Sequence, residues 1–139
     1  MTTVFVYGTL IFSEVVFALL GKNFNTQDAV LEGFRRYKIF DDSVPRKYPA
    51  ICESSNDKVA GKVLFDVDEE SLKVLDFFEG KEYKRKKFPV LLDGREISVF
   101  TYVWDLKYRE NLKLIWSPQE FKEKYLNEYI SEITSEVLD

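Results

Sequence analysis

Residues 83–106 read YKRKKFPVLLDGREISVFTYVWDL, two stretches rich in aromatic and β-branched residues on either side of Asp93-Gly94-Arg95. Such runs read as strands, and a short Asp-Gly turn between them marks a hairpin, so 83–92 and 97–106 are expected to pair antiparallel. Upstream, Asp66 or Asp68 can cap a helix running to about Phe78, with Glu69 and Glu70 in its favourable first turn and Gly80 closing it. Leu72, Leu75 and Phe78 give that helix an apolar face.

Further strands are expected at 4–7, at 30–40 with a bend at Gly33, and at 58–67. Between the last two, DDSVPRKYPAICE (41–53) carries two prolines, which predicts a loop in its first half and a short edge strand in YPAICE. SEVVFALL (13–20) reads as a short buried helix with Ser13 as its cap and Gly21 just past its end. Downstream of the hairpin, Ser117-Pro118-Gln119-Glu120 forms a capping box, and Phe121, Tyr125, Tyr129, Ile133 and Val137 follow at i+4 spacing. They predict one amphipathic helix over about 118–137, as suited to a partner as to the sheet, so oligomeric state stays open.

About six strands with few clean crossovers indicate an α+β fold: a compact, mixed, largely antiparallel sheet, barrel-like, with flanking helices. No repeat or linker divides the chain, so 1–139 is expected to be a single domain.

The 139 residues include 20 basic and 24 acidic side chains, a net charge of −4 that provides no field for gathering nucleic acid or anionic lipid. The basic run at 84–87 does not change this, because alternation on a strand divides its charge between two faces. Cys52 is the single cysteine, no stretch resembles a signal peptide, and no 18-residue apolar span occurs. A cytoplasmic protein without a membrane segment is expected. The chain has no histidine, which removes the commonest general base and transition-metal ligand. Acid/base chemistry must then use a carboxylate, Tyr, Lys or Cys52, and no metal site is expected.

Two local irregularities point towards a site. In VFVYGTLIF (4–12) an apolar run breaks at Gly8 and Thr9 and then resumes. Glycine there permits positive φ or a close approach to the main chain, and Thr adds a hydroxyl; the segment is a binding loop or a simple corner. In SLKVLDFFEG (71–80) the last helical turn carries Asp76 and Glu79, where the helix dipole disfavours negative charge by about 0.3–1 kcal/mol per site. If Glu79 turns inward beside Phe77 and Phe78, apolar surroundings raise its pKa towards neutrality. A solvated glutamate beside a C-terminal glycine is the ordinary alternative.

Taken in order, YGTL (7–10), Tyr48-Pro49-Ala50, GKVLF (61–65), LDFFEG (75–80), Tyr83-x-Arg85 and TYVW (101–104) resemble the γ-glutamylcyclotransferase-like superfamily. The similarity is to its branch of γ-glutamylamine cyclotransferases and AIG2-like proteins, from Thr3 to Trp104, and the tail from Asp105 carries no matching motif. The resemblance implies a cavity for a small γ-glutamyl substrate, with Tyr7, Gly8, Thr9 and Leu10 holding the glutamyl portion through main-chain amides and Glu79 as the acid/base. Tyr48, Tyr83, Arg85 and Tyr102 match aromatic or basic positions near that cavity and are expected to orient substrate. The implied chemistry closes 5-oxoproline by attack of the substrate's own α-amine on its γ-carbonyl, without enzyme nucleophile, metal or cofactor. A module that binds a small carboxylated ligand without turning it over is the alternative.

Overall fold

The hairpin forms as its alternation predicts. In the computed structural model, which describes residues 1–138 with side chains through Ser135, β4 (Tyr83–Leu92) and β5 (Arg95–Trp104) pair antiparallel from Tyr83↔Trp104 to Leu92↔Arg95. Asp93 and Gly94 make the turn, both at positive φ (51° and 76°), as a two-residue hairpin loop requires. β1 (Thr2–Val6) adds to β5 in parallel, and its other edge pairs antiparallel with the end of β3 (Val44–Val67). The long strands β2 (Thr26–Asp41) and β3 form an antiparallel ribbon from Thr26↔Leu64 to Asp41↔Val44. β2 also meets β4 at Val30↔Leu91, so β3-β1-β5-β4-β2 returns to β3 and closes a barrel-like ring; the short β6 (Leu112–Ile115) lies outside it on β2.

β1 is buried on both faces, which is why it reads as continuously apolar. Phe5 and Tyr7 join Leu31, Ile51, Val63, Val90 and Val99 in one apolar cluster. Val4 and Val6 point the other way, into a second cluster with Tyr102, Trp104 and the helices α1 (Ser13–Leu20), α2 (Glu69–Glu79), α3 (Pro118–Lys124) and α4 (Leu126–Leu138). Each fully buried Val, Leu or Phe contributes roughly 1.5–3 kcal/mol.

Four expectations are corrected. The stretch 41–53 is not a loop with a short strand; after a turn at Asp42 (φ 57°), Val44 begins a 24-residue strand containing both Pro45 and Pro49. This half of β3 pairs with β2 alone, so a proline nitrogen facing its other edge breaks no ladder bond. Ser13 does not cap α1: Phe12 is the capping residue, and the Ser13 hydroxyl donates to Glu14 Oε1 at 3.3 Å. The terminal helix is broken at Tyr125 (φ −129°, ψ −14°) into α3 and α4. In an unbroken helix residues eight apart lie about 12 Å apart along the axis, whereas the break packs Phe121 edge-on against Tyr129 with ring centroids 5.3 Å apart. Of the predicted stripe, Phe121, Tyr129 and Ile133 are buried, Tyr125 is half-buried, and the Val137 side chain lies outside the described residues. Finally, of the two phenylalanines expected beside an inward Glu79, Phe78 is half-buried but Phe77 is 89% exposed.

Of the two candidate caps of α2, Asp68 is used, accepting from Ser71 N at 3.1 Å, while Gly80 ends the helix. Gly33 (φ 83°) takes the expected bend, where the β2–β3 register jumps across 54–57. Among the described residues no helix is long and apolar enough to cross a membrane.

Candidate active site

β1 ends at Val6 and delivers Tyr7, Gly8 and a 3₁₀ turn over Thr9–Ile11 to one end of the sheet. Gly8 has φ −115°, so positive φ is not its reason for being there. A Cβ would lie 2.8 Å from Cδ of Pro49 and 2.9 Å from its Cγ. The close approach expected at Gly8 is therefore met by the proline ring on β3. Ile11 N donates to Gly8 O at 3.1 Å and Phe12 N to Thr9 O at 3.3 Å. The N–H groups of Gly8, Thr9 and Leu10 find no acceptor among the described residues and remain available to a ligand.

Tyr7, Gly8, Thr9 and Leu10 line a cavity of about 490 Å³, a volume suited to a small molecule. Tyr48, Glu79, Tyr83 and Tyr102 line it as well, so eight of the nine residues singled out from the sequence converge there. Arg85 is the exception. Its Nε and a terminal nitrogen grip Asp76 at 2.9 and 3.2 Å, and Asp76 in turn accepts from the Tyr102 hydroxyl at 2.7 Å. Arg85 thus stands behind a lining residue, joined to it by a carboxylate.

Glu79 is the last residue of α2. Its side chain is half-buried, open only in part, and it belongs to the cavity wall. Burial raises its pKa from 4.5 to about 8, and the negative charge of Asp76 adds to the rise. Among the described residues no donor lies within hydrogen-bonding distance of its carboxylate, which leaves both oxygens free for a ligand. Tyr7, Tyr83, Tyr102 and Tyr129 all hold their hydroxyl protons more tightly than usual, first through burial and in part through the charge of Glu79. Glu79 therefore sits within the electrostatic reach of four tyrosines.

Those hydroxyls have different commitments. Tyr7 donates to Tyr102 O at 2.6 Å, Tyr83 to Pro49 O at 2.7 Å, and Tyr102 to Asp76. Their protons are held by protein acceptors, which suits them to shaping the wall. Tyr129 instead accepts from Thr9 Oγ1 at 3.3 Å, so its own proton is not used in that bond. Sequence reasoning placed Tyr129 in an apolar stripe and missed its place in the cavity, and it read Asp76 only as a misplaced charge. The i+4 pattern carried no signal for Tyr129, since a core tyrosine and a cavity tyrosine occupy the same stripe. α4 also contributes Glu132, which with Glu128 holds the Lys47 ammonium.

A family model described as "Gamma-glutamyl cyclotransferase, AIG2-like" matches residues 4–123, the barrel together with α1, α2 and α3. The chain belongs to this family. Among curated relatives, AIG2-like protein D of Arabidopsis thaliana is 38% identical over 133 residues, covering 94% of this chain and 85% of that one. AIG2-like protein C of the same plant is 36% identical over 129 residues, covering 91% and 73%. A solution structure from Arabidopsis thaliana superposes with a TM-score of 0.72 at 30% identity, covering 94% of this chain and 87% of that one. A structure titled gamma-glutamyl cyclotransferase shares the fold at a TM-score of 0.62 and 20% identity, covering 95% and 85%. The family match extends past Trp104, where the recognisable motifs end, and stops short of α4.

Proposed function

We propose that this protein cyclises a γ-glutamyl amine or γ-glutamyl amino acid to 5-oxoproline and releases the free amine, with Glu79 as the acid/base residue. The observation that carries this reading is a carboxylate held near pKa 8 in the same cavity as the unpaired amides of residues 8–10. The amides of Gly8, Thr9 and Leu10 receive the glutamyl carboxylate or the oxyanion that develops on the γ-carbonyl. Ionised Glu79 takes a proton from the substrate α-ammonium, and the freed amine attacks the γ-carbonyl carbon to close the five-membered ring. The tetrahedral intermediate collapses as its bond to the leaving nitrogen breaks and protonated Glu79 returns the proton there. Over the whole reaction the α-nitrogen sheds two protons and the leaving nitrogen gains two, so one carboxylate cycling between its forms balances the chemistry.

A carboxylate at its ordinary pKa is too weak a base for a substrate ammonium, and the rise at Glu79 narrows the gap between donor and acceptor. Because nucleophile and electrophile already share a molecule, the protein's work is to fold the substrate into the attacking geometry. Tyr48, Tyr83 and Tyr102 shape that fold of the substrate from the wall, and Arg85 supports Tyr102 through Asp76. The same reading places the protein in the cytoplasm, where the unpaired, buried thiol of Cys52 stays reduced.

The test is a panel of γ-glutamyl amines and γ-glutamyl amino acids incubated with the purified protein and assayed for 5-oxoproline. Release from at least one compound is expected. Tight binding across the panel without release would overturn the enzymatic reading and leave the cavity as a receptor for small carboxylated molecules.

A further inference from the structure

The loop that carries the unpaired amides is also held from behind by a side chain that sequence reasoning did not single out. Arg36, on β2, donates from one terminal nitrogen to the carbonyl of Tyr7 at 2.8 Å and to that of Ala60 on β3 at 3.1 Å. It is not part of the cavity wall. Its guanidinium lies 5.5 Å from the centroid of Trp116, whose indole N–H donates to Lys47 O at 2.8 Å and whose backbone N–H donates to Arg36 O at 3.4 Å. The Nε of Arg36 is buried and finds no acceptor among the described residues. An unsatisfied buried donor is costly, so the stack on Trp116 and the two carbonyl bonds hold the guanidinium where its own hydrogen-bonding needs are not fully met.

The carbonyl of Tyr7 and the N–H of Gly8 belong to one peptide group. That group is planar, and the structure contains no cis peptide bond among the described residues, so the C=O and N–H bonds point in opposite directions. Fixing the carbonyl on one side fixes the N–H on the other. A cation on the carbonyl oxygen also draws electron density along the amide and makes the N–H a stronger donor. We propose that Arg36 is a positioning residue that aims and polarises the Gly8 N–H, and that the enzyme thereby strengthens an amide contact to substrate with a side chain that never touches it. This inference rests on the cyclotransferase reading for its kinetic consequence, while the geometry at Gly8 stands by itself.

The test compares Arg36→Met, which keeps bulk and removes the donor, with Arg36→Lys, which keeps charge but loses the planar stack on Trp116. In ligand-free protein labelled with ¹⁵N, the Gly8 amide nitrogen resonance should move upfield in Arg36→Met, because its peptide carbonyl loses a hydrogen bond. Resonances of buried strand residues such as Val4 and Leu31 should hold their places, which distinguishes a lost peptide clamp from a loosened fold. On any γ-glutamyl compound that the parent protein turns over, kcat/KM should fall roughly tenfold to a hundredfold in Arg36→Met. The limb of the pH profile near 8 should stay in place, since burial and Asp76, not Arg36, raise the Glu79 pKa. Arg36→Lys should fall between the two.

An unmoved Gly8 resonance, or a kcat/KM within about twofold of the parent in Arg36→Met, overturns the proposal. So does full activity in Arg36→Lys, which would reduce the role to charge alone. Should Arg36→Met fail to fold, Arg36→Lys carries the same two readouts. A parent protein that releases no 5-oxoproline from any compound tells against the proposed function instead, and the Gly8 resonance still decides the role of Arg36.

Discussion

At the first turn of α2, Asp68 caps the helix, accepts from both the amide and the hydroxyl of Ser71, and pairs with Lys22 at 2.6 Å. Those bonds, the Lys22 contact first, hold its carboxyl well below the usual carboxylate range. At the other end of the same helix Glu79 lacks any such donor among the described residues, lies against the unfavourable pole of the dipole, and is pushed up to about 8 by burial and by Asp76. Two carboxylates at opposite ends of one eleven-residue helix have surroundings that drive them in opposite directions. The first arrangement stabilises the fold. The second opposes it, and a charge kept where folding disfavours it is the pattern of an acid/base group.

The largest way to break this contrast is Glu79→Gln, which keeps the shape of the side chain and removes its proton chemistry. Release of 5-oxoproline should fall by a thousandfold or more, on the order of the upper range for loss of a general acid/base, while the ligand still binds. Stability should move in the opposite sense. A carboxyl whose pKa is raised on folding stabilises the native state below its unfolded pKa of 4.5, and that contribution is lost as pH rises through about 8. Above pH 8 the parent carries a buried, unpaired charge, and Glu79→Gln should be the more stable of the two by on the order of a few kcal/mol. Urea titrations at pH 5 and pH 9 check the sign: the advantage should be present at the higher pH and absent at the lower. Near-normal turnover in this variant would remove Glu79 from the mechanism.

How much of this was visible in the chain depended on whether a feature was local. The hairpin at 83–106, the Asp68 cap, the bend at Gly33 and the stop at Gly80 are all decided within a few residues, and each appears where expected. Glu79 was legible for the same reason, because a negative charge in a last helical turn violates a rule that can be checked without tertiary structure. The closure of the ring was only foreshadowed. It depends on the parallel pairing Val4↔Phe100 and on Val30↔Leu91, contacts that no local pattern specifies. The prolines at 45 and 49 misled because local chemistry records only a missing donor, while tolerance of that loss depends on which strands neighbour β3. Arg36 and Tyr129 carried no signal at all. One is 29 residues from the carbonyl it binds and the other 120 residues from Thr9, so their roles exist only once the barrel and its helices have closed around the loop.

A finer way to sharpen the contrast lies within the last turn itself. Asp76 contributes to the raised pKa of Glu79, so Asp76→Asn removes a like charge and makes ionisation of Glu79 easier. The midpoint of the rise in kcat/KM with pH should move down. It should remain above the ordinary glutamate value, because burial is the larger cause and is untouched. Asparagine retains an oxygen that can accept from Tyr102, so the wall keeps its shape, while the grip on Arg85 weakens. A midpoint that moves up, or not at all, would show that Asp76 does not sense Glu79.

The smallest effect belongs to the other end of the helix and serves as the control. Asp68→Ala removes the cap and the partner of Lys22, and Tm should fall by a few degrees at neutral pH. The depressed pKa sets the sign of the pH dependence: the stabilisation is present above the ordinary aspartate range and disappears as acid protonates the side chain, so parent and variant should converge towards low pH. Glu79→Gln has the mirror-image behaviour, with convergence at low pH and divergence in favour of the variant above 8. Neither kcat nor the midpoint near pH 8 should respond to Asp68→Ala, since Asp68 does not line the cavity and is not among the causes of the Glu79 shift. If the variant does alter that midpoint, the two ends of α2 are coupled through the helix, and the division between a stabilising carboxylate and a working one no longer holds.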